Sequence, residues 1–430
     1  MIRFSRRRLG PGFACLACGN AHSCPRGKIR YMSSAAPSLP EQANPHFVES
    51  LVELSATREI EVTEDVYAQN GIKLLAKGAR VDSSLYDRVI QHKLRRPIET
   101  SLACRDAFDS AQLRREAEAL LEASPILRRL ADDSHGSERS LKTLARVRLT
   151  PQAATLFAVA EHRRPERRTH QVKACLIALS LAKADGSTHD SRSLIGLAQA
   201  SLLHDIGECY IDPAIFTREE VLGQEEWRAL ASHPIIGAAI ARELGGLSAD
   251  VQTAILQHHE RLDGSGYPRG VSGEGLSRSG AILGMADTLA GMLGHDYPLS
   301  RLSVALRIMP REFSPALVSR ATRLLGAREP LMEMRGVSRA EVEEIRHIRE
   351  RIGAIPGLFS QLLDEQARLS PLHREGLENL FFRFIRVKRA FSSTGMDGLE
   401  SLVPVLSGEE LAETCQEARC VLGRVHSSQI

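Results

Sequence analysis

The sequence is poor in aromatic residues. Phe, Trp and Tyr make up 4% of its 430 residues, and there is one tryptophan. That scarcity argues against the stacking platforms on which single-stranded nucleic acid is held. There is also no surplus of either charge. Lysine and arginine number 56 against 53 acidic residues, a net charge of +3. A nucleic-acid polymer or a membrane surface would call for a strong basic excess, so neither is an expected partner. No apolar run reaches the roughly 20 residues that span a bilayer. The opening MIRFSRRRLGPGF is basic but lacks the apolar stretch of a secretory signal. The eight cysteines, at 15, 18, 24, 104, 175, 209, 415 and 420, are too scattered for a disulfide framework. A reducing cytoplasm is the expected compartment.

What remains is ordinary globular composition, 43% hydrophobic and 25% charged, in a chain long enough for two or three domains. Residues 1–45 are basic and then Ser/Pro-rich, and read as a disordered tail. Cys15, Cys18 and Cys24 with His22 have the donor chemistry of a zinc knuckle, but their spacing matches no strong zinc pattern, and Met32 opens a more ordinary N-terminus. Residues 46–104 read as a small α+β module. Glu59–Val62 alternates like a strand, Asn70-Gly71 is a hairpin signal, and Asp82–Leu94 has helical spacing. Residues 105–150 read as a helical connector, 151–325 as a helix-rich block, and 326–430 as a helical extension with Ser338 and Glu341 as a capping box. The fold class is therefore mainly α: a helical bundle core with a small α+β module before it and a helical extension after it.

The helix-rich block concentrates donors of one kind. His170, His204, His233, His258 and His259 fall at helix ends or faces, accompanied by Glu166, Asp205 and Asp287. The clusters at 166/170, 204/205, 233, 258/259 and 287 are each separated from the next by about a helix and its connection, so all could return to one end of a bundle. Glu166 and His170 are four apart, on one helix face. His204-Asp205 and His258-His259 are adjacent pairs, whose diverging side chains suit a cluster of ions better than a single one. Imidazole mixed with carboxylate favours first-row transition metals. Two or more such ions are a recurring arrangement for phosphodiester hydrolysis. Taken alone, Glu166 among Arg163, Arg164, Arg167 and Arg168 also fits a solvated, salt-bridged face.

His204-Asp205-Ile206-Gly207, then His233-Pro234, then the run from His258 to Pro268 (HHERLDGSGYP) resemble the HD-GYP domain of the HD phosphohydrolase superfamily, over roughly residues 155–325. The resemblance implies an all-helical fold in a bacterial signal-transduction protein, with a site of two or three divalent ions, iron or manganese. It implies hydrolysis of cyclic di-GMP to pGpG or GMP through a metal-bridging hydroxide. Carried over by motif, the ligands are His170, His204, Asp205, His233, His258, His259 and Asp287, with Glu166 matching the extra carboxylate of three-metal members. His204 and Asp205 would be the catalytic pair, with Asp205 bridging the ions. Arg261, Asp263, Gly264, Gly266, Tyr267 and Pro268 would line the substrate mouth, where Tyr267 either stacks or packs. Signalling proteins and a second copy of the chain are partners such a domain allows.

The chain departs from the family pattern at its cations. The lysine of H-D-x-G-K is Glu208, and the downstream R-P-Y-R/K run aligns with Asp296-Tyr297-Pro298-Leu299. Phosphoryl transfer depends on neutralising developing negative charge, and one lost donor costs about 2.7–4 kcal/mol. Arg261, Arg269, Arg301 or a third ion at Glu166 are the candidate replacements. Two other readings therefore stay open: a catalytically weak scaffold or adaptor, and a phosphohydrolase for another nucleotide.

Overall fold

The computed structural model describes residues 42–131, 138–182, 190–217, 224–264, 266–293 and 312–325. The tail with Cys15, Cys18, Cys24, His22 and Met32, the stretch from Asp296 to Leu299, Arg301, and the extension from 326 onward lie outside them.

Several helices start where a short polar side chain accepts a free backbone N–H. Asn44, Asp109, Thr150, Asp190, Ser248 and Ser277 each accept from the first turn of the helix that follows. Each such cap contributes about 1 kcal/mol. The helices are α1 (Pro45–Ser55), α2 (Leu85–Ile90), α3 (Ser110–Ala123), α4 (Pro125–Ala131), α5 (Glu138–Ala145), α6 (Pro151–Arg163) and α7 (Pro165–Leu181). They continue with α8 (Ser191–Leu203), the single turn α9 (Ala214–Thr217), α10 (Gln224–Ala231), α11 (His233–Glu243), α12 (Ala249–Gln257), α13 (Arg278–Met292) and α14 (Pro315–Leu325). Proline occupies the first turn of α1, α6, α7 and α11, where its missing N–H costs nothing.

The strands are confined to the N-terminal module. β1 (Ile60–Val62) pairs antiparallel with β4 (Leu102–Cys104), Ile60 opposite Cys104. β2 (Val66–Tyr67) and β3 (Lys73–Leu75) form the hairpin that Asn70-Gly71 signals. The fold is thus mainly α, as the composition indicates.

α7 is the centre of the bundle. From Ala174 to Ala182 every residue is buried, because the helix is covered by α8, α13, α4 and α3 together. α12 packs on α11, α13 and α8, which brings the C-terminal ends of α8 and α12 beside the first turns of α7 and α11. The helices of 105–150 do more than connect. Leu113, Leu121, Leu127, Leu130, Leu141 and Leu144 are buried in the same hydrophobic cluster as α7 and α8. The N-terminal module is joined to the bundle through α1 and β4, which pack on α6, and through a 3-10 turn, Ile206–Tyr210, which packs on α1.

Candidate metal centre

Three histidines are aimed by one device. His204 and His258 sit at the C-terminal caps of α8 and α12, and His233 follows the last turn of α10. The last carbonyls of a helix have no partner within it. Each imidazole turns back to use one: His204 Nδ1 reaches Ser201 O at 2.8 Å, His233 Nδ1 reaches Leu230 O at 2.8 Å, and His258 Nδ1 reaches Ile255 O at 2.7 Å. A carbonyl only accepts, so the proton lies on Nδ1 and the Nε2 lone pair is left facing inward. His170, one turn into α7, and Asp287 on α13 complete the ring, with His170 Nε2 2.8 Å from Asp287 Oδ1.

The donors form two groups that share Asp205: His170, His204 and Asp205, and Asp205, His233, His258 and His259, with donor atoms in each group within 4.8 Å of one another. The Asp205 carboxylate divides between them. Its Oδ2 lies 3.0 Å from His204 Nε2, and its Oδ1 lies 3.6 Å from His233 Nε2 and 3.7 Å from His258 Nε2. Asp287 spans the groups as well, with Oδ1 3.6 Å from His204 Nε2 and Oδ2 3.7 Å from His259 Nδ1.

The arrangement asks for cations. His233 Nε2 and His258 Nε2 face each other at 3.2 Å. His204 Nε2 and Asp205 Oδ2 are buried without a hydrogen bond, although they are neighbours. Buried polar atoms are rarely left so, because each costs about 1–3 kcal/mol. The electrostatics agree. Burial works against charge on His204, but Asp205 and Asp287 outweigh it and hold the group well above the usual imidazole range. Burial and His258 push His233 down to about 3, and burial and His258 hold His259 well below the usual range. A proton on His204 and a metal ion answer the same local demand. The residues present therefore fit divalent transition ions, with neutral imidazoles on one side and a shared carboxylate between.

Close backbone approach sets the spacing. A Cβ at Gly207 would meet the carbonyl oxygen of His233 at 2.0 Å, so only glycine lets the 3-10 turn lie against the start of α11. A Cβ at Gly266 would meet His259 O and Arg261 N, each at 2.4 Å.

The sequence-derived residues divide three ways. His170, His204, Asp205, His233, His258, His259 and Asp287 come together. Glu166 does not join them: its side chain is 64% exposed and is paired to Arg164 at 2.9 Å. Among the expected mouth residues, Tyr267 stacks on His259, with ring centroids 4.6 Å apart, and Trp227 meets it edge-on at 5.4 Å. Gly266 and Pro268 are buried, Gly264 is half-buried and Asp263 is exposed. Arg261 turns inward, donating to His258 O at 3.2 Å and Glu260 O at 3.0 Å, and covers the Phe313 ring. Buried Glu260 accepts from the backbone N–H of Arg269 and Val271 and so holds the loop.

Sequence reasoning missed the surroundings of Glu208. Its carboxylate is buried and paired to Arg164 at 2.9 Å and Arg167 at 2.5 Å, while Arg167 also reaches Asp205 Oδ2 at 3.5 Å. The signal was the arginine run itself, which looks the same on an exposed face.

Residues 154–314 match the HD domain family. This segment is an HD domain. Several bacterial phosphodiesterases are distant relatives of the same stretch. The cyclic di-GMP phosphodiesterase PdeB of Borreliella burgdorferi is 31% identical over 124 residues, covering 29% of this chain and 32% of that protein. The 3′3′-cGAMP-specific phosphodiesterase 3 of Vibrio cholerae is 38% identical over 112 residues, covering 26% and 23%. The cyclic di-GMP phosphodiesterase response regulator RpfG of Xanthomonas campestris is 28% identical over 201 residues, covering 46% and 50%. The chain thus spans between about a quarter and a half of the length of these relatives. Among the described residues, no helix of the HD domain or its neighbours is long and apolar enough to cross a membrane.

Proposed function

We propose that the chain is a metal-dependent phosphodiesterase that opens cyclic di-GMP to linear pGpG and, with a second cleavage, to GMP. The observation that carries this reading is the shared carboxylate: Asp205 offers one oxygen to each of two donor groups, whose other members are imidazoles with inward lone pairs. His170, His204 and Asp287 would hold one ion with it, and His233, His258 and His259 the second. Iron or manganese suits that donor set. When bound, the ions supply Lewis-acid polarisation of the phosphodiester and an activated water.

The chain's own residues do the rest. The Nδ1 contacts to helix-end carbonyls fix three imidazoles in one tautomer and one orientation. His204, His233, His258 and Asp205 are buried and form the floor, while the partly open His170, His259 and Asp287 mark the side from which substrate enters. Tyr267 stacks on His259 at that side, and Trp227 packs edge-on against Tyr267. Cyclic di-GMP is favoured by the names of most of the relatives, and 3′3′-cGAMP is the alternative that one of them raises. Glu208, which most favoured a non-enzymatic scaffold, carries two arginines with it.

The test is hydrolysis of cyclic di-GMP and 3′3′-cGAMP by the full chain, loaded anaerobically with Fe(II) or Mn(II), with product identification. Turnover of cyclic di-GMP is expected with either metal. Absence of turnover by metal-replete protein, beside an active control enzyme, would remove this reading.

A further inference from the structure

A small pocket opens beside Asp205, away from the imidazole pair His233 and His258. Arg164, Arg167, Gln171, Asp205 and Glu208 line it. Arg167 and Gln171 are one turn apart on α7 and so share a face. Gln171 is 3% exposed, and its amide nitrogen has no hydrogen-bond partner. The Nε of Arg167 is buried and also has none, although the outer nitrogens of that guanidinium are paired to Glu208 and Asp205. Two unsatisfied donors on one pocket wall leave room for an acceptor. A guanidinium is cationic at any working pH and only donates hydrogen bonds.

We propose that Arg167 and Gln171 form a subsite for a phosphate oxygen next to the metal centre, with Glu208 as the positioning residue that holds the guanidinium there. This rests on the phosphodiesterase reading for the identity of the substrate, but not for the chemistry of the ligand. The family lysine at position 208 would place a point charge near the substrate. Here position 208 is an anion, and the cation arrives from α7 as a planar fork. A guanidinium gripped on its outer nitrogens by two carboxylates leaves its Nε–H without a protein acceptor, on a residue that lines the pocket. Arg164 binds the other oxygen of Glu208, so the carboxylate is fixed from two sides. An oxyanion suits the pocket because the three arginines in its lining, Arg163, Arg164 and Arg167, outnumber its two carboxylates, Asp205 and Glu208.

The test uses the full chain loaded with Mn(II). Inorganic phosphate binding is measured by calorimetry, metal content by mass spectrometry, and kcat and KM with cyclic di-GMP. R167Q is expected to weaken phosphate binding tenfold or more with metal content unchanged, and R167K to recover part of the loss. Q171M should weaken phosphate binding several-fold without loss of thermal stability, because the amide nitrogen it removes holds nothing in the protein. E208Q should raise KM more than it lowers kcat, E208D should restore most of the effect, and the R167Q/E208Q double variant should be no worse than R167Q alone. Phosphate binding that is absent in the wild type, equal to it in both R167Q and Q171M, or lost in step with the metal would overturn the subsite; the first two outcomes mean that water alone fills the pocket. Arg167-dependent phosphate binding without turnover of any cyclic dinucleotide would instead remove the substrate reading and leave the subsite standing.

Discussion

At the scale of single residues the decisive group is Asp205. Its two oxygens serve different neighbours, so conversion to asparagine keeps the shape but removes the charge and one lone-pair-bearing atom. Asp205→Asn is expected to lower metal affinity by more than the roughly 10–100-fold that loss of an outer hydrogen-bond partner costs. Metal content after dialysis against a graded chelator checks it. Unchanged content would mean that the two groups do not share this carboxylate. The residue types of the centre were legible because adjacent His-Asp and His-His pairs at the ends of apolar helices are an improbable accident. The choice between Glu166 and Arg167 was not. They stand four and three residues before His170, and both spacings put a side chain on the same face. Only the packed structure distinguishes them: Arg167 turns toward the buried acids Asp205 and Glu208, and Glu166 stays at the exposed first turn.

At the scale of elements, the centre is made by helix ends meeting. α8 and α12 each finish on a histidine that uses its own helix's unpaired carbonyl, and the 3-10 turn after α8 must lie flat on the start of α11. Gly207→Ala places a methyl group 2.0 Å from the His233 carbonyl, which the backbone can relieve only by moving α11. Overpacking of this kind costs about 1–3 kcal/mol. Urea denaturation should show that loss, and the metal content of purified protein should fall with it, because His233 moves with its helix. Retained metal with lost stability would separate the two roles of the turn. The starts of α6, α11 and α12 were readable from Pro151, Pro234 and Ser248. α1 was missed although Asn44-Pro45 is the same kind of start signal, since a short amphipathic segment beside a Ser/Pro-rich tail looks like part of the tail. The helix read over 82–94 forms only over Leu85–Ile90. The chain beyond it turns to bridge Lys93 to Gln42 and Leu94 to Ala68 of the hairpin, tertiary pairings that periodicity does not carry.

At the scale of the whole molecule, the N-terminal module is coupled to the centre through the residues just after Gly207. Tyr210 stacks on Phe47 of α1, with centroids 5.1 Å apart. Asn44, the cap of α1, donates to the Tyr210 carbonyl at 3.0 Å, and the Tyr210 hydroxyl donates to buried Glu99 at 2.7 Å. No sequence pattern links positions 99 and 210; only folding brings them together. Burial pushes the Glu99 pKa above its ordinary 4.5, against the lowering effect of the Tyr210 hydrogen bond. The sign of the consequence follows from proton uptake. Below 4.5 both folded and unfolded chains hold the proton, so the group adds no difference. As pH rises through 4.5 the unfolded chain ionises while the folded one resists, so stability falls until the folded carboxyl ionises too, and the loss then persists at neutral pH. Glu99→Gln keeps an acceptor for Tyr210 and removes the titration. It is expected to raise stability at pH 7 relative to wild type and to match it at pH 4. Tyr210→Phe should do the opposite at neutral pH, costing about 1–3 kcal/mol by leaving a buried acceptor unpaired. Thermal unfolding of the three proteins at both pH values checks this pair of outcomes. A Glu99→Gln variant less stable than wild type at pH 7 would mean that the carboxylate is held by charge rather than merely tolerated.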